Sequence, residues 1–131
     1  MVIAPGTGVG SIQFGMTAED AKRVLGPPDP SGGTVLQYSA LGIAIMTGIG
    51  SGTVDAIFLG DPTKVAWTHA FKGRSKEGIG MGSSLEQIVA AYGQPASTTS
   101  SPGGAVTVAY DGGKTEYRVK DGKVILIVLR P

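Results

Sequence analysis

Two segments of this chain carry the same set of helix-start and helix-stop residues. One runs from Gly15 to Pro28 and the other from Gly82 to Pro95. In each, a glycine and a capping hydroxyl residue, Thr17 or Ser84, precede two turns of apolar-periodic residues, and a second glycine and a proline follow them. These residues are typical of helix ends, so each segment predicts one short helix. An isolated helix of this length is unstable in water, and each one therefore needs a sheet against which to pack.

The residues inside the two segments add detail to this prediction. Gln87 stands three positions after Ser84 and predicts a capping box, while Asp20 holds the same place in the first segment and suits the positive end of the helix dipole. Gly26 and Gly93 predict a left-handed residue at each helix end. The predicted apolar stripes are Ala18, Ala21, Val24 and Leu25 in the first helix, and Leu85, Ile88, Val89 and Tyr92 in the second.

Strand-like runs follow each helix. They are rich in β-branched residues or alternate between apolar and polar residues, and glycine-rich turns separate them. The predicted strands are 34–39, 41–47 and 53–59 in the first part of the chain, and 105–110, 115–119 and 124–129 in the second. Asp121-Gly122 predicts a tight hairpin, and the wholly apolar run Val124–Leu129 predicts a central strand. Segment 65–71 is a candidate extra strand, and we expect 96–104 to be a long loop.

The fold class that follows is α+β. Gly15 corresponds to Gly82, and Tyr38 corresponds to Tyr110 at the ends of the first strands, which indicates an internal repeat. We expect a single domain made of two tandem α-β-β-β repeats, about 1–64 and 65–131. The repeats would form one antiparallel sheet of about six to eight strands with the two short helices on one face.

Composition excludes several classes of function. The formal net charge is +1 and Lys and Arg form no run, which argues against nucleic acid or an anionic membrane as a partner. The chain has no cysteine, so disulfides and thiolate metal sites are excluded, and no stretch predicts a transmembrane segment. Residues 6–10 are glycine-rich but lack the lysine of a phosphate-binding loop, so we expect a plain loop there.

The sequence does not predict catalysis. His69 is the only histidine, which cannot by itself form a metal cluster, and the elbow motif of a serine hydrolase is absent. No pattern pairs two carboxylates for acid and base catalysis. We therefore expect no catalytic, cofactor-binding or metal-binding residues.

The segment Gly15-Met16-Thr17, then a short helix, Leu25-Gly26-Pro27-Pro28 and three strands, resembles a small α/β module of bacterial proteins. This module occurs in the β-lactamase inhibitor proteins and in the small lipoprotein of the outer-membrane β-barrel assembly machinery. Tyr92-Gly93-Gln94-Pro95 repeats its helix end. The tandem arrangement is similar to that of the inhibitor, whose two modules form a curved sheet that grips a partner protein. The inhibitor modules contain disulfides, and this chain has no cysteine.

Three functions remain open, and the first is a non-catalytic protein-binding or scaffold module that uses the open sheet face. Its candidate partner-binding residues are Tyr38, Trp67, Tyr110 and Tyr117, since aromatic side chains are common at interface hot spots. Core packing explains these aromatics equally well, because strand alternation does not tell which face is covered.

The second candidate function is a proteinaceous inhibitor of an exported hydrolase such as a β-lactamase, which would present loop 96–104 or 48–52 to the enzyme. The third is a small-ligand carrier or an unrecognised enzyme, which needs a pocket between sheet and helices. A homodimer through the 124–129 strand is a further use of the sheet. The resemblance implies an extracytoplasmic protein, periplasmic or lipid-anchored, while the residues themselves leave a cytoplasmic location open.

Overall fold

A computed structural model describes residues 2–29, 35–48, 52–60, 70–101 and 103–131. Within these residues two helices and eleven strands form two sheets. The helices are α1 (Ala18–Leu25) and α2 (Leu85–Tyr92). The strands are β1 (Val2–Ala4), β2 (Gly8–Val9), β3 (Ile12–Gln13), β4 (Val35–Tyr38), β5 (Ile43–Thr47), β6 (Val54–Gly60), β7 (Arg74–Ser75), β8 (Ser97–Ser100), β9 (Val106–Tyr110), β10 (Thr115–Lys120) and β11 (Lys123–Leu129).

The larger sheet has seven strands in the order β4-β5-β6-β11-β10-β9-β8, and every neighbouring pair is antiparallel. Together with the two helices it gives the α+β fold that the sequence predicts. β11 lies in the middle of the sheet, which confirms the prediction of a central strand. Asp121 and Gly122 connect β10 to β11 with φ values of 52° and 77°, the backbone of a type I′ hairpin turn.

The six main predicted strands are all present, with ends that differ by at most two residues. The prediction of a loop at 96–104 was wrong in part, because Ser97–Ser100 forms β8 and pairs with the open edge of β9. Most of the candidate strand 65–71 lies outside the described residues, and residues 70 and 71 are not in a strand. The expected boundary between the repeats, at 64 and 65, also lies outside them.

A second sheet of four strands, in the order β3-β2-β1-β7, was not predicted. We expected a loop at residues 6–10, but Gly8–Val9 there forms β2. The apolar residues Ile3, Val9 and Ile12 of the N-terminal arm are each about 1% exposed and belong to the core. Burial of these side chains requires the arm to pack on the protein, and the strands pair its backbone groups. β1 also pairs in parallel with β7, which is distant in the sequence.

The large sheet has an approximate two-fold axis between β6 and β11. The pairs at the axis are Ile57 with Leu129, Phe58 with Val128 and Leu59 with Ile127. A register shift interrupts the β5–β6 pairing after Met46 and the β10–β11 pairing after Arg118, at corresponding points. We call α1 with β2–β6 the first half, and α2 with β7 and β9–β11 the second half.

Both helices begin and end where the sequence predicts. The Ser84 hydroxyl accepts the Gln87 amide at 3.1 Å and the Gln87 side chain accepts the Ser84 amide at 2.8 Å, so the capping box is present. Thr17 caps α1 through one such bond of 3.2 Å. The expected left-handed residue is replaced by a different conformation, since Gly26 and Gly93 have φ of 87° and 83° but ψ of −169° and −164°. This extended, positive-φ region is accessible essentially to glycine alone.

The two helices lie on the same face of the large sheet. Tyr38, at the end of β4, donates its hydroxyl to the Gly26 carbonyl after α1 at 2.9 Å. Tyr110, at the end of β9, donates to the Gly93 carbonyl after α2 at 3.0 Å. The strand pairings place both tyrosines on one side, because directly paired residues point to the same face. One hydrophobic core fills the space between this face, the helices and the small sheet.

The helix stripes pack largely as predicted. Ala21 of α1 and Ile88 of α2 are fully buried, and Leu25 packs against the core. Val24 is the exception, because it is 44% exposed and its assignment to the buried stripe was wrong. Leu25 takes the packed position at this turn, and successive residues of a helix point about 100° apart.

Candidate functional site

The face of the large sheet opposite the helices is one candidate surface. In the described part of the chain no helix or strand lies across it, although four of its residues are only 5–8% exposed: Ala44, Ala56, Ala109 and Val128. We call it the uncovered face. Its side chains are those of Val35, Gln37, Ala44, Met46, Ala56, Phe58, Thr107, Ala109, Glu116, Arg118, Leu126 and Val128.

The two ends of the uncovered face differ in chemistry. Met46 and Ala44 on β5 correspond to Arg118 and Glu116 on β10. Glu116 forms an ion pair of 3.1 Å with Arg130. Arg118 is exposed, and within the described residues no hydrogen bond or ion pair holds its guanidinium. An apolar area in the first half therefore borders a charged area in the second half.

Three of the four aromatic residues predicted as partner-binding anchors, Tyr38, Tyr110 and Tyr117, lie on the side of the sheet that the helices cover. Tyr38 and Tyr117 are 4% and 1% exposed and point toward the helices, so the core-packing alternative applies to them. Tyr110 is half-buried on the same side, and Trp67 lies outside the described residues. Alternation in the sequence groups side chains by face, but the position of the helices decides which face is covered.

Three tyrosines form a cluster under the C-terminal end of α2. The rings of Tyr92 and Tyr117 are stacked at 5.8 Å with an interplanar angle of 20°. Tyr110 meets both rings edge-on, with centroid distances of 5.8 Å to Tyr92 and 6.0 Å to Tyr117. These are favourable geometries for aromatic pairs, so the cluster is a packed part of the structure.

The tyrosine hydroxyls form a chain that leads to the surface. The Tyr117 hydroxyl interacts with that of Tyr92. Tyr92 in turn lies 2.7 Å from the Ser75 hydroxyl and 3.0 Å from a carboxylate oxygen of Glu77. Burial raises the pKa of Tyr117 far above its usual value, and the interaction with Tyr92 adds to this effect. Burial also raises the pKa of Tyr92 and of Tyr110, so all three are neutral at physiological pH.

A cleft of about 140 Å³ opens beside this cluster. We call it the tyrosine cleft, and it is lined by Pro5, Tyr92, Tyr110, Asp111, Thr115 and Tyr117. Thr115 is 2% exposed and its Oγ1 has no hydrogen-bond partner. A buried hydroxyl without a partner is costly, and such groups usually mark a place for water or a ligand. A cleft of this size has room for several water molecules or a small organic group.

Sequence reasoning missed Ser75, Tyr92 and Thr115 as residues of a site. A signal was present, because the correspondence of Tyr38 with Tyr110 can be continued along the next strands. It aligns the hydrophobic residues of β5 with Thr115 and Tyr117 of β10. The sequence alone did not show that these hydroxyl residues meet at one cleft, since that depends on how α2 packs on the sheet.

The described residues contain neither a membrane-spanning helix nor a metal cluster. Neither α1 nor α2 has the length and hydrophobicity to cross a bilayer. No group of three or more His, Cys, Asp or Glu side chains is close enough to hold a metal ion in this part of the chain. The ionised group that lines the tyrosine cleft is the exposed carboxylate of Asp111.

The fold is similar to that of a solved protein of unknown function. The chain aligns with the crystal structure of a DUF4309 family protein, YjgB, from Bacillus subtilis, with a TM-score of 0.60 and 15% sequence identity. The alignment covers 93% of this chain and 83% of that one. No protein-family model matches the chain, and no curated protein matches it. At this identity the similarity shows the α+β fold alone.

Proposed function

We propose that this chain is a non-catalytic binding module that contacts another protein through its uncovered face. The observation that carries the proposal is the apolar area in the first half of this face. Met46 and Phe58 lie there, both partly exposed, with the small residues Ala44 and Ala56 between them. Contiguous apolar area on the surface of a protein is typical of a contact site for a partner.

The charges on the face indicate the chemistry of the partner. On this face Leu126 lies between Arg118 and the first half, and among the described residues Arg118 has no carboxylate partner. A partner that presents an apolar patch with an adjacent Asp or Glu would cover Phe58 and pair with Arg118 at the same time. Arginine at the border of an apolar contact area is a common feature of protein interfaces.

A matched pair of substitutions tests this proposal. Phe58→Asp places a charge on the uncovered face, and Val24→Asp places the same charge on an exposed apolar residue of α1, on the opposite side. Each variant is used as bait in extracts of the source organism, after circular dichroism has shown that it is folded. A photo-crosslinking amino acid at position 46, with position 24 as control, reports which surface is in contact.

We expect a partner that is retained by Val24→Asp, lost by Phe58→Asp, weakened by Arg118→Glu and crosslinked from position 46 only. Equal retention by both Asp variants, or crosslinks from position 24 alone, would overturn the proposal. Crosslinks between two copies of the chain would replace it with homodimerisation. If the captured partner is an exported hydrolase whose activity falls on binding, the module acts as an inhibitor through this face.

A further inference from the structure

The second half differs from the first at four core positions that lie close together. The correspondence follows from the structure, since Val54 and Val124 make the same two backbone hydrogen bonds, with the segments before α1 and α2 respectively. Counting outward from these strands through their pairings matches the remaining residues. The matched pairs are Val9 with Ser75, Leu25 with Tyr92, Ile43 with Thr115 and Ile45 with Tyr117.

At each of these four positions an apolar residue of the first half is matched by a hydroxyl residue in the second. Ile43 and Ile45 are 2% and 0% exposed, and Thr115 and Tyr117 are equally buried at 2% and 1%. Burying a hydroxyl costs free energy unless it is hydrogen-bonded. The first half, which has apolar residues at these positions, avoids this cost. A set of buried hydroxyls at one place therefore requires a reason other than folding.

The contacts within the tyrosine cluster leave the Thr115 hydroxyl without a hydrogen bond. Tyr92 donates to the Ser75 hydroxyl, Tyr110 donates to the Gly93 carbonyl, and the Tyr117 hydroxyl interacts with that of Tyr92. The Thr115 hydroxyl has no hydrogen-bond partner in the described part of the chain, and the residue is more than nine-tenths buried. Thr115 is also among the residues that line the tyrosine cleft, which makes an occupant of the cleft a candidate partner for its hydroxyl.

The lining of the cleft favours a positively charged occupant. Tyrosine rings attract cations through their electron-rich faces, and a carboxylate at the rim, Asp111, adds a negative charge. Among the described residues, no Lys or Arg lines the cleft. A threonine hydroxyl accepts a hydrogen bond from an N–H donor. We propose that the tyrosine cleft binds a small organic ammonium ion that carries N–H donors.

Nuclear magnetic resonance titration of the full chain with n-butylammonium tests this site. We expect saturable shifts, in the millimolar range, at the backbone amides of Tyr110, Asp111 and Thr115, with no shift at the corresponding Tyr38 and Ile43 of the first half. Butyrate, which has the opposite charge, and tetramethylammonium, which has no N–H donor, are the matched probes. Butyrate should leave the spectrum unchanged, and tetramethylammonium should bind more weakly.

Two substitutions separate binding from folding. Thr115→Val has nearly the same shape and removes only the hydroxyl, and Asp111→Asn removes the charge at a position with φ of 53°, which Asn tolerates. We expect each variant to weaken n-butylammonium binding by about fivefold or more, the effect of losing one polar contact. Absence of saturable shifts, equal binding of butyrate, or unchanged affinity in both variants would overturn the proposal. Binding that persists in Thr115→Val but not in Asp111→Asn would also exclude the hydroxyl from the site.

Discussion

The first and second halves of the large sheet share a backbone arrangement but differ in side-chain chemistry. Each has a capped two-turn helix, a tyrosine that bonds to the glycine after it, and a register shift at the same place. On the core side, apolar residues of the first half correspond to hydroxyl residues of the second half. On the uncovered face, Met46 and Ala44 of the first half correspond to Arg118 and Glu116.

The comparison separates the features that the fold requires, which both halves share, from the side chains that can differ. Caps, glycines and strand pairings recur in both halves, so they define the scaffold. At two differing core positions the side chains are buried to a similar degree, since Ile43 and Thr115 are each 2% exposed and Ile45 and Tyr117 are 0% and 1% exposed. The identity of these side chains therefore does not define the scaffold. We infer that the first half mainly stabilises the fold and that the second half carries the polar chemistry available for a small ligand.

The largest expected effect tests whether the two halves share one core. Ile57 and Ile127 occupy corresponding positions beside the two-fold axis and are both fully buried. Ile57→Ala and Ile127→Ala should each lower the free energy of unfolding by about 2–5 kcal/mol, because each leaves a cavity in a packed core. Urea unfolding measures this, with Val24→Ala as an exposed control expected to change it by less than about 0.5 kcal/mol. A small loss at either isoleucine would contradict the shared core.

The second largest effect should be on the free energy of unfolding at alkaline pH, to which the tyrosines of the second half contribute more. Tyr117 has a raised pKa, so its neutral form is favoured in the folded state. Its contribution is fully present below the pKa of an unfolded tyrosine, about 10, and is lost as the pH rises above it. The free energy of unfolding should fall by up to about 1.4 kcal/mol per pH unit for each tyrosine that stays neutral in the folded chain. The decline should be shallower in Tyr117→Phe, and Tyr38→Phe should change it less. Equal slopes in the wild type and Tyr117→Phe would contradict the expected burial of that hydroxyl.

The helix caps offer a comparison of moderate size. Ser84 takes part in a reciprocal capping box, whereas Thr17 makes a single capping bond. Thr17→Ala removes one capping bond and should cost about 1 kcal/mol. The double variant Ser84→Ala/Gln87→Ala removes both bonds of the capping box and should cost more, because the Ser84 amide loses its acceptor only when Gln87 is also replaced. Thermal unfolding of the two variants measures the order. A larger loss at Thr17 would mean that α1 depends on its cap more than α2 does.

The smallest expected difference is in stability at acidic pH, and its source is Asp29, which follows α1 of the first half. The Ser39 hydroxyl and amide donate to Asp29 at 2.5 Å and 2.9 Å and lower its pKa, and Ala96 stands at the corresponding place in the second half. Stability from this carboxylate is present above about pH 4 and is lost as the pH falls through its lowered pKa. Ser39→Ala should raise the pKa of Asp29 toward its usual value in a carbon-13 NMR titration. An unchanged pKa would remove the assigned cause.

Most of the fold could be predicted from the sequence because its signals are local. Thr17, Ser84, Gly26 and Gly93 mark the helix ends within a few residues, and Asp121-Gly122 marks a hairpin. The small sheet could not be predicted, because its strands are two or three residues long and β1 joins β7 from a distant part of the chain. β8 was missed for a related reason, since a serine and threonine segment forms a strand only beside an open edge.

The candidate site was harder to predict than the fold. Tyr38, Tyr110 and Tyr117 share a face of the sheet by alternation, but the helices decide that this face is the covered one. The alignment of Tyr38 with Tyr110 matches Ile45 with Tyr117, but it does not show how α2 packs on that face of the sheet. The unpaired hydroxyl of Thr115 is a property of packing in three dimensions.

The free energy of unfolding of Thr115→Val, with no ligand present, is the most direct test of the difference between the halves. If the Thr115 hydroxyl serves binding and not folding, the valine variant should be more stable than the wild type by about 1 kcal/mol, because an unsatisfied buried hydroxyl is replaced by a methyl group. The valine variant would then have an apolar side chain at this position, as the first half has with Ile43. A variant less stable than the wild type would show that the hydroxyl has a structural partner, and would contradict the assignment of polar ligand chemistry to the second half.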